Sequence, residues 1–253
     1  VKRVGRKGSS AHLKRLASPS FWPIHRKEEV WVTRPHPGPH PMGRSVPLLI
    51  VVRDILKFAA SKREAEAAIV DRKIKVDGNV RVDKKFPAGL MDLIEVADIN
   101  QTYRVLPSTH RVYRFHPVTG AEKDFKLCRI EGKTVLKGGD IQLNLHDGRN
   151  LLVKAADLTG PEEDIYKILD VAQLNITNGK IMKHLKFAEG AYAIVVEGEN
   201  IGQHGTITSV EKHSPTAPRI VKIRGANDVE YNTVADYVFV IGEDKPLISL
   251  PEG

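Results

Sequence analysis

The sequence predicts an α+β chain. Its parts are a basic extended N-terminal arm, a small helix-pair and hairpin module, a mostly β central region and a small C-terminal β-barrel. Three observations carry this prediction. The net charge of +8 is confined to residues 1–44. Residues 46–96 show helix, helix, hairpin and strand patterns in that order. After Gln101, short apolar runs alternate with turns rich in glycine, asparagine and aspartate. The expected divisions are 1–44 (arm and proline-rich connector), 45–105, 106–186 and 187–253.

A chain of 253 residues has room for two or three small domains. Aromatic residues make up only 6% against 41% hydrophobic, so several modest aliphatic cores are expected rather than one large aromatic one. The single cysteine, Cys128, excludes an intrachain disulfide framework and a cysteine-based zinc site, and it favours a reducing compartment. The longest apolar run, Val46 to Val52, is too short to span a membrane. No N-terminal stretch has the apolar region of a signal peptide. No cofactor, metal or small-molecule substrate is expected.

The arm holds Lys2, Arg3, Arg6, Lys7, Lys14, Arg15, Arg26, Lys27, Arg34 and Arg44 against two acids, Glu28 and Glu29. The rest of the chain is electrically balanced. A basic arm on a neutral body suits a polyanion, nucleic acid foremost; a solubilising tail is the alternative. "RPHPGPHP" (34–41) carries four prolines and reads as an extended connector. Trp22 and Trp31 are either anchors onto the body, the preferred reading, or stacking platforms for bases. With no core of its own, the arm is expected to order on binding. His12, His25, His36 and His40 lack metal-ligand spacing and read as polar or phosphate-contacting.

In the second segment, Leu48, Leu49, Val52, Ile55, Leu56 and Ala59 fall on one helical face, and Arg53 and Lys57 project together from the other. "SKREAEAAIVDRKI" opens with a capping box, Ser61 and Glu64, and turns Ala65, Ala68 and Ile69 inward. Ile74, Val76, Val80 and Val82 alternate across Asp77-Gly78-Asn79, a hairpin that would set Lys75 opposite Arg81. Like charges directly opposed destabilise a hairpin unless an anion offsets them. Lys62, Arg63, Arg72, Lys73 and Lys84 would extend such an anion-binding surface. Nine interspersed acids support the plainer reading of a solvated face. "LMDLIEV" (90–96) reads as a strand.

The remaining β region is read from "HRVYRF", "FKLCRI", "DIQLNL", "NLLVK", "VAQLNI" and "KIMKHLKF". A helix starting at Pro161 competes locally with the strand "VAQLNI". From Gly190 to Gly242 five strands of barrel length follow: "AYAIVV", "GTITSVEKH", "RIVKIRG", "VEYNTV" and "DYVFVIG".

The stretch "SKREAEAAIVDRKIKVDGNVRVDKKFPAGLMDLIEV" resembles the S-four-type RNA-binding domain, through Ala65, Ile69, Arg72, Ile74, Val76, Asp77, Gly78, Val80 and Pro87. "VVEGENIGQHGTI" (195–207) resembles a KOW motif, with Gly198, Gly202, Gly205 and Ile207 in place. Gln203 and His204 stand where relatives commonly carry a basic residue. These segments, with "HLKRLASPSFWPIHRKE", "RPHPGPHPMGRSVPLLIVVRDILKFA" and "VFVIGEDKPLISLP", are similar in order to the S-four-e family of archaeal and eukaryotic small-subunit ribosomal proteins. The resemblance covers essentially the whole chain. It implies ribosomal RNA and neighbouring ribosomal proteins as partners, and a cytoplasmic location in the small subunit.

An enzyme is not expected. The sequence holds no HExxH, no Gly-x-Ser-x-Gly and no dinucleotide glycine pattern. "DGRNL" (147–151) lacks the aspartate that a pseudouridine synthase needs. The competing classes are a mobile transcription- or translation-associated factor and a nonspecific RNA chaperone.

Overall fold

The computed structural model describes residues 12–25, 27–109, 113–154, 166–212, 217–225 and 228–251. It is mostly β, with two short α-helices.

The described part of the arm is folded onto the body. Strand β1 (Leu13–Lys14) pairs antiparallel with β2 (Trp31–Val32), setting Lys14 opposite Trp31. Leu13 and Trp22 join the core of the following module. Trp22 is 1% exposed, and its indole N–H donates to the Ser45 carbonyl at 2.9 Å. Arg15 donates twice to the Ile24 carbonyl, at 2.8 and 3.0 Å, closing the loop between them. This corrects the expectation of an arm without a core: burying a large indole with its N–H satisfied outweighs the entropy of fixing the segment. Trp22 is an anchor, as preferred, whereas Trp31 stays 55% exposed.

After β3 (Ser45–Pro47), helix α1 (Leu48–Ile50) passes into a π-helical turn, Val51–Ile55, in which the Leu56 N–H donates to the Val51 carbonyl at 2.9 Å. Leu48 to Val52 are all buried, so this segment has no solvent face. Lys57, in the left-handed region at φ 55°, ends it. The helix expected here therefore stops at Ile55 instead of reaching Ala59, and Lys57 lies beyond its end. Packing on all sides, not periodicity, sets the path, and the wider turn shifts every later side chain. Helix α2 (Lys62–Val70) has the predicted capping box. The Glu64 N–H donates to the Ser61 hydroxyl, and the Ser61 N–H to the Glu64 carboxylate, both at 3.2 Å. Ala65 and Ile69 form its buried face.

Strands β4 (Ile74–Val76) and β5 (Asn79–Val80) make the predicted hairpin in a different register. Asp77 and Gly78 both have positive φ, 50° and 73°, so the turn has two residues, with the primed geometry that matches strand twist. Lys75 therefore faces Val80, not Arg81. The like-charge opposition expected from a three-residue turn is absent. Strand β6 (Pro87–Gly89) pairs with β3. Met91 is left-handed at φ 64°, so the next strand, β7 (Leu93–Val96), starts three residues later than the apolar run suggests. With β8 (Gln101–Pro107) and β9 (Tyr113–Val118) it completes an antiparallel sheet of order β5-β4-β7-β8-β9. This sheet runs past residue 105 to Val118.

The central sheet holds β10 (Phe125–Val135), β11 (Ile141–Leu145), β12 (Asn150–Val153), β13 (Val171–Asn175) and β14 (Ile181–Leu185), in the order β12-β11-β10-β13-β14. A bulge between Ile130 and Gly132 splits β10: its first half pairs with β13 and its second with β11. The sheet bends there into half a barrel. Of the helix expected from Pro161, residues 161–165 lie outside the described residues. Beyond them Ile168 and Leu169 form a turn and Val171–Asn175 is a strand, buried on both faces, with Val171 in one core and Ala172 and Leu174 in another. The last sheet contains β15 (Tyr192–Val195), β16 (His204–Glu211), β17 (Ile220–Gly225), β18 (Glu230–Val234) and β19 (Val238–Gly242), in the order β18-β17-β16-β15-β19. One apolar core, with Leu106, Leu127, Val171, Ala193 and Phe239, joins it to the two sheets before it.

A buried ionic cluster holds the modules together. Lys126, 1% exposed on β10, places Nζ at 2.7 Å from Asp77, 2.5 Å from Asp92 and 3.2 Å from Asp147. Each carboxylate also accepts a backbone N–H: Asp77 from Leu93, Asp92 from Gly89 and Asp147 from Arg149. Arg149 adds a second cation, 2.7 Å from Asp77 and 3.3 Å from Asp147. His40, from the connector, sits 3.1 Å from Asp92 and is buried, so of its two expected readings, polar or phosphate-contacting, it takes the polar one. Burial pushes the Asp92 carboxyl up, but Lys126 and His40 outweigh it and hold it below its ordinary range. For Asp77, burial and the neighbouring Asp92 win over Lys126, and its pKa is raised. Burial and Lys126 push His146 down to about 3. Its Nδ1 accepts from the Arg129 N–H at 3.2 Å and its Nε2 faces the Leu90 carbonyl at 3.2 Å, which fits the neutral ring.

Three further links span long stretches of sequence. Arg44 pairs with Glu197. Arg129 donates to the Asp236 carbonyl at 2.7 Å. Ser249 donates its N–H and hydroxyl to Glu122, both at 3.0 Å.

Lys126→Met is expected to cost about 3–5 kcal/mol, because it strands three buried carboxylates without their cation; urea unfolding at pH 7 measures it. Stability is also expected to fall on acidification. Below the unfolded histidine value of about 6.5, the unfolded chain takes up a proton at His146 that the folded chain refuses until about 3. The loss is about 2 kcal/mol between pH 7.5 and pH 5. Denaturant titrations at the two pH values should show it in the wild type and a smaller change in His146→Gln.

Candidate nucleic-acid interface

Of the basic residues predicted to contact nucleic acid, Lys2, Arg3, Arg6, Lys7 and Arg26 lie outside the described residues. The structure separates the others into three groups.

The first group meets in a cleft of about 200 Å³ between the arm hairpin, the start of α1, the N-terminus of α2 and the segment joining β5 to β6. Arg34, Arg53, Lys62 and Lys84 line it, from four separate segments. Lys85, absent from the predicted set, lines it too. Glu29 is its one acid. Arg53 is tied to Asp54 at 2.9 Å and lies 3.7 Å from Glu29; the Asp54 hydrogen bond raises its pKa. Lys84 is held 2.8 Å from Glu66, and this bond keeps the Glu66 carboxyl below its ordinary range. At the α2 N-terminus the Glu64 carboxylate already accepts from the Ala60 and Ser61 N–H groups, and the Ser61 hydroxyl from the Glu64 N–H.

The second group is internally neutralised. Lys73 pairs with Asp98 at 2.8 Å and Lys75 with Glu95 at 3.4 Å, across the β4–β7 ladder. Arg15 is spent on the arm loop, and Arg44 on Glu197. The Arg81 guanidinium stacks 4.4 Å from the Phe86 ring. On the hairpin face Lys73 and Lys75 are thus neutralised, whereas Arg81 meets an aromatic ring and no carboxylate.

The third group is exposed and, among the described residues, held by no ion pair: Lys14, Lys27, Lys57, Arg63 and Arg72. Arg63 and Arg72 mark opposite ends of α2, so they do not converge. Lys14 Nζ lies 5.6 Å from the Trp31 ring centroid.

The glycine-rich loop from Val195 to Ile207 turns toward the protein. Gly198 and Gly202 have φ of 92° and 83°. A Cβ at Gly202 would stand 2.7 Å from the Thr109 nitrogen, so this loop packs on Ser108 and Thr109, just past β8. At Gly205 the Arg224 carbonyl leaves no room for any side chain. Gln203 is half-buried, with its carbonyl accepting from the Val195 N–H at 2.8 Å. His204 Nδ1 and the Tyr192 hydroxyl share a hydrogen bond at 2.8 Å, and burial lowers the His204 pKa. This loop presents no cation.

Comparison with known proteins was decisive. A protein of Aeropyrum pernix named small ribosomal subunit protein eS4 is 47% identical over 250 residues, 99% of each chain. The chain belongs to the ribosomal S4e family. The family model described as Ribosomal family S4e matches residues 99–181, and the RS4NT (NUC023) domain matches residues 7–43. The eS4 protein of Methanocaldococcus jannaschii is 43% identical over 98% of this chain and all of its own. The crystal structure of the 30S ribosomal protein S4e from Thermoplasma acidophilum superposes with a TM-score of 0.67 at 30% identity, covering 79% of this chain and 96% of that one.

In this S4e-family chain, sequence reasoning missed Lys85, which continues a basic run already noted, and the exposure of Trp31. The cleft and the hairpin face make different predictions. Lys62→Ala with Lys85→Ala should weaken RNA binding roughly tenfold, as the loss of two phosphate contacts. Lys73→Ala with Lys75→Ala should change it less than about twofold, because those cations already have partners. Filter-binding titrations at fixed salt compare the two.

Proposed function

We propose that this chain is a structural constituent of the small ribosomal subunit, in the cytoplasm, that binds and stabilises ribosomal RNA alongside neighbouring ribosomal proteins. The observation that carries the reading is the 47% identity over 99% of both chains to a protein named small ribosomal subunit protein eS4. Charge placement supports it, since the whole net charge lies in residues 1–44. So does the cationic cleft that the arm forms with the second module.

The division into an arm (1–44), an S-four-type RNA-binding domain (45–105), a β-rich domain (106–186) and a KOW-type barrel with its tail (187–253) suits this role, with β8 crossing the second boundary and β9 lying beyond it. The arm residues His12, Trp31 and Arg34 help line the cleft. The segment before them, with Lys2, Arg3, Arg6 and Lys7, supplies counter-charge to phosphates that would otherwise repel one another. The second module recognises RNA by shape, because base edges in a paired A-form helix are out of reach.

The direct test is sedimentation. The protein should remain with small subunits through a high-salt wash, and recovery mainly in light fractions would favour a mobile factor or a chaperone. Deleting residues 1–11 leaves Leu13, Trp22 and His40 in place, so the fold should survive. The logarithmic salt slope of RNA affinity should then drop by up to about 3, for four lost cations. An unchanged slope would remove the segment from the interface.

A further inference from the structure

Trp31 is the largest apolar side chain left in the open, and the cationic cleft lies directly beside it. It sits on a two-strand ribbon, and β1 pairing fixes it beside Lys14. The His12 ring is 5.5 Å away but tilted by 59°, so it does not stack in parallel on the indole. An exposed indole flanked by cations is a poor surface to leave in water and a good one for an aromatic ligand with negative charge attached. Five of the cleft's lining residues are Lys or Arg and one, Glu29, is acidic. The cavity of about 200 Å³ is of the size for one planar base, not for a duplex.

We propose that this cleft receives one unstacked nucleotide of single-stranded RNA, its base on the indole of Trp31 and its flanking phosphates on Lys62, Lys84 and Lys85. This rests on the RNA-binding reading above and adds a base-holding site to it. A paired A-form helix cannot reach the indole with a base face, so the ligand is a loop, bulge or strand end. Lys14 stays near the ring and neutralises the nearest phosphate. Lys84 exchanges Glu66 for RNA, whereas Lys62 and Lys85 have no ion pair to break among the described residues.

The chain has two tryptophans, and one of them is buried, which makes the test direct. In full-length Trp22→Phe, Trp31 is the only indole left to report. Its emission should be quenched by a single-stranded RNA of mixed sequence and not by a duplex of that sequence. In the native Trp22 background, Trp31→Ala should lower single-strand affinity on the order of 5- to 100-fold and duplex affinity less than about twofold. Trp31→Phe should keep most of the single-strand affinity. The proposal is overturned if single-stranded RNA binds, by gel retardation, with Trp31 emission and Trp31→Ala affinity both unchanged. It is equally overturned if duplex quenches as strongly, or if a ribosomal protein and not RNA shields Trp31 from acrylamide. A chain that binds no RNA at all defeats the parent reading along with this one.

Discussion

Lys126 is the charge around which the rest of this molecule is arranged. Its ammonium is out of water, and three carboxylates from three separate turns close on it. Each carboxylate is also fixed by a backbone N–H, so none can swing to meet the cation without its turn being formed. The hairpin of the second module, the turn before β7 and the turn between β11 and β12 therefore hold their relative places through one group. His40 and Arg149 bring the connector and β12 to the same point. Burying such a cluster gains less free energy than apolar packing of the same volume, and its value lies in specificity: only one arrangement of the modules satisfies all its members. That is our hypothesis for why a lysine sits inside an apolar strand, and the Lys126→Met stability measurement is what would sink it.

Much of the β architecture was legible in the sequence, and for a physical reason. In β11, β16 and β17 apolar residues alternate, β15 and β19 are short continuous apolar runs, and turn residues bound them. The capping box of α2 was legible because it is a local, reciprocal pair of hydrogen bonds. The failures have equally definite causes. Strands β1, β2, β3 and β6 are two or three residues long and exist only because a distant partner pairs with them. The hairpin register turned on whether Asn79 belongs to the turn or to the strand, and both readings satisfy the alternation. The π turn follows from burial on all sides, which periodicity cannot register. Lys126 was invisible as anything but a surface base within "FKLCRI", since its three partners come from residues 34 to 49 positions upstream and 21 downstream.

The candidate site was legible in its residues and not in its geometry. Counting charge located the arm, and the arm proved to be half scaffold. Arg15, Arg44 and His40 serve the protein's own structure, while Arg34 and Trp31 help build a cleft. The balanced charge of the body also had a meaning that composition could not reveal. Its acids sit within reach of its bases, so that Lys73, Lys75 and Lys84 are held by carboxylates. Exposed cations of the body such as Arg114, Lys137, Lys154, Lys180 and Lys186 have no ion pair among the described residues, so positions, rather than the total, define the surface open to a polyanion.

The bond between Glu122 and Ser249 has a bearing on how the molecule is made. A chain grows from its N-terminus, so the arm and its cations are available long before the residue that fastens the turn ahead of β10 exists. The contacts of Arg44 with Glu197 and of Arg129 with Asp236 likewise wait for most of the chain. Contacts so far apart in sequence close late and slowly. During synthesis these three links can therefore close only after Glu197, Asp236 and Ser249 have been made.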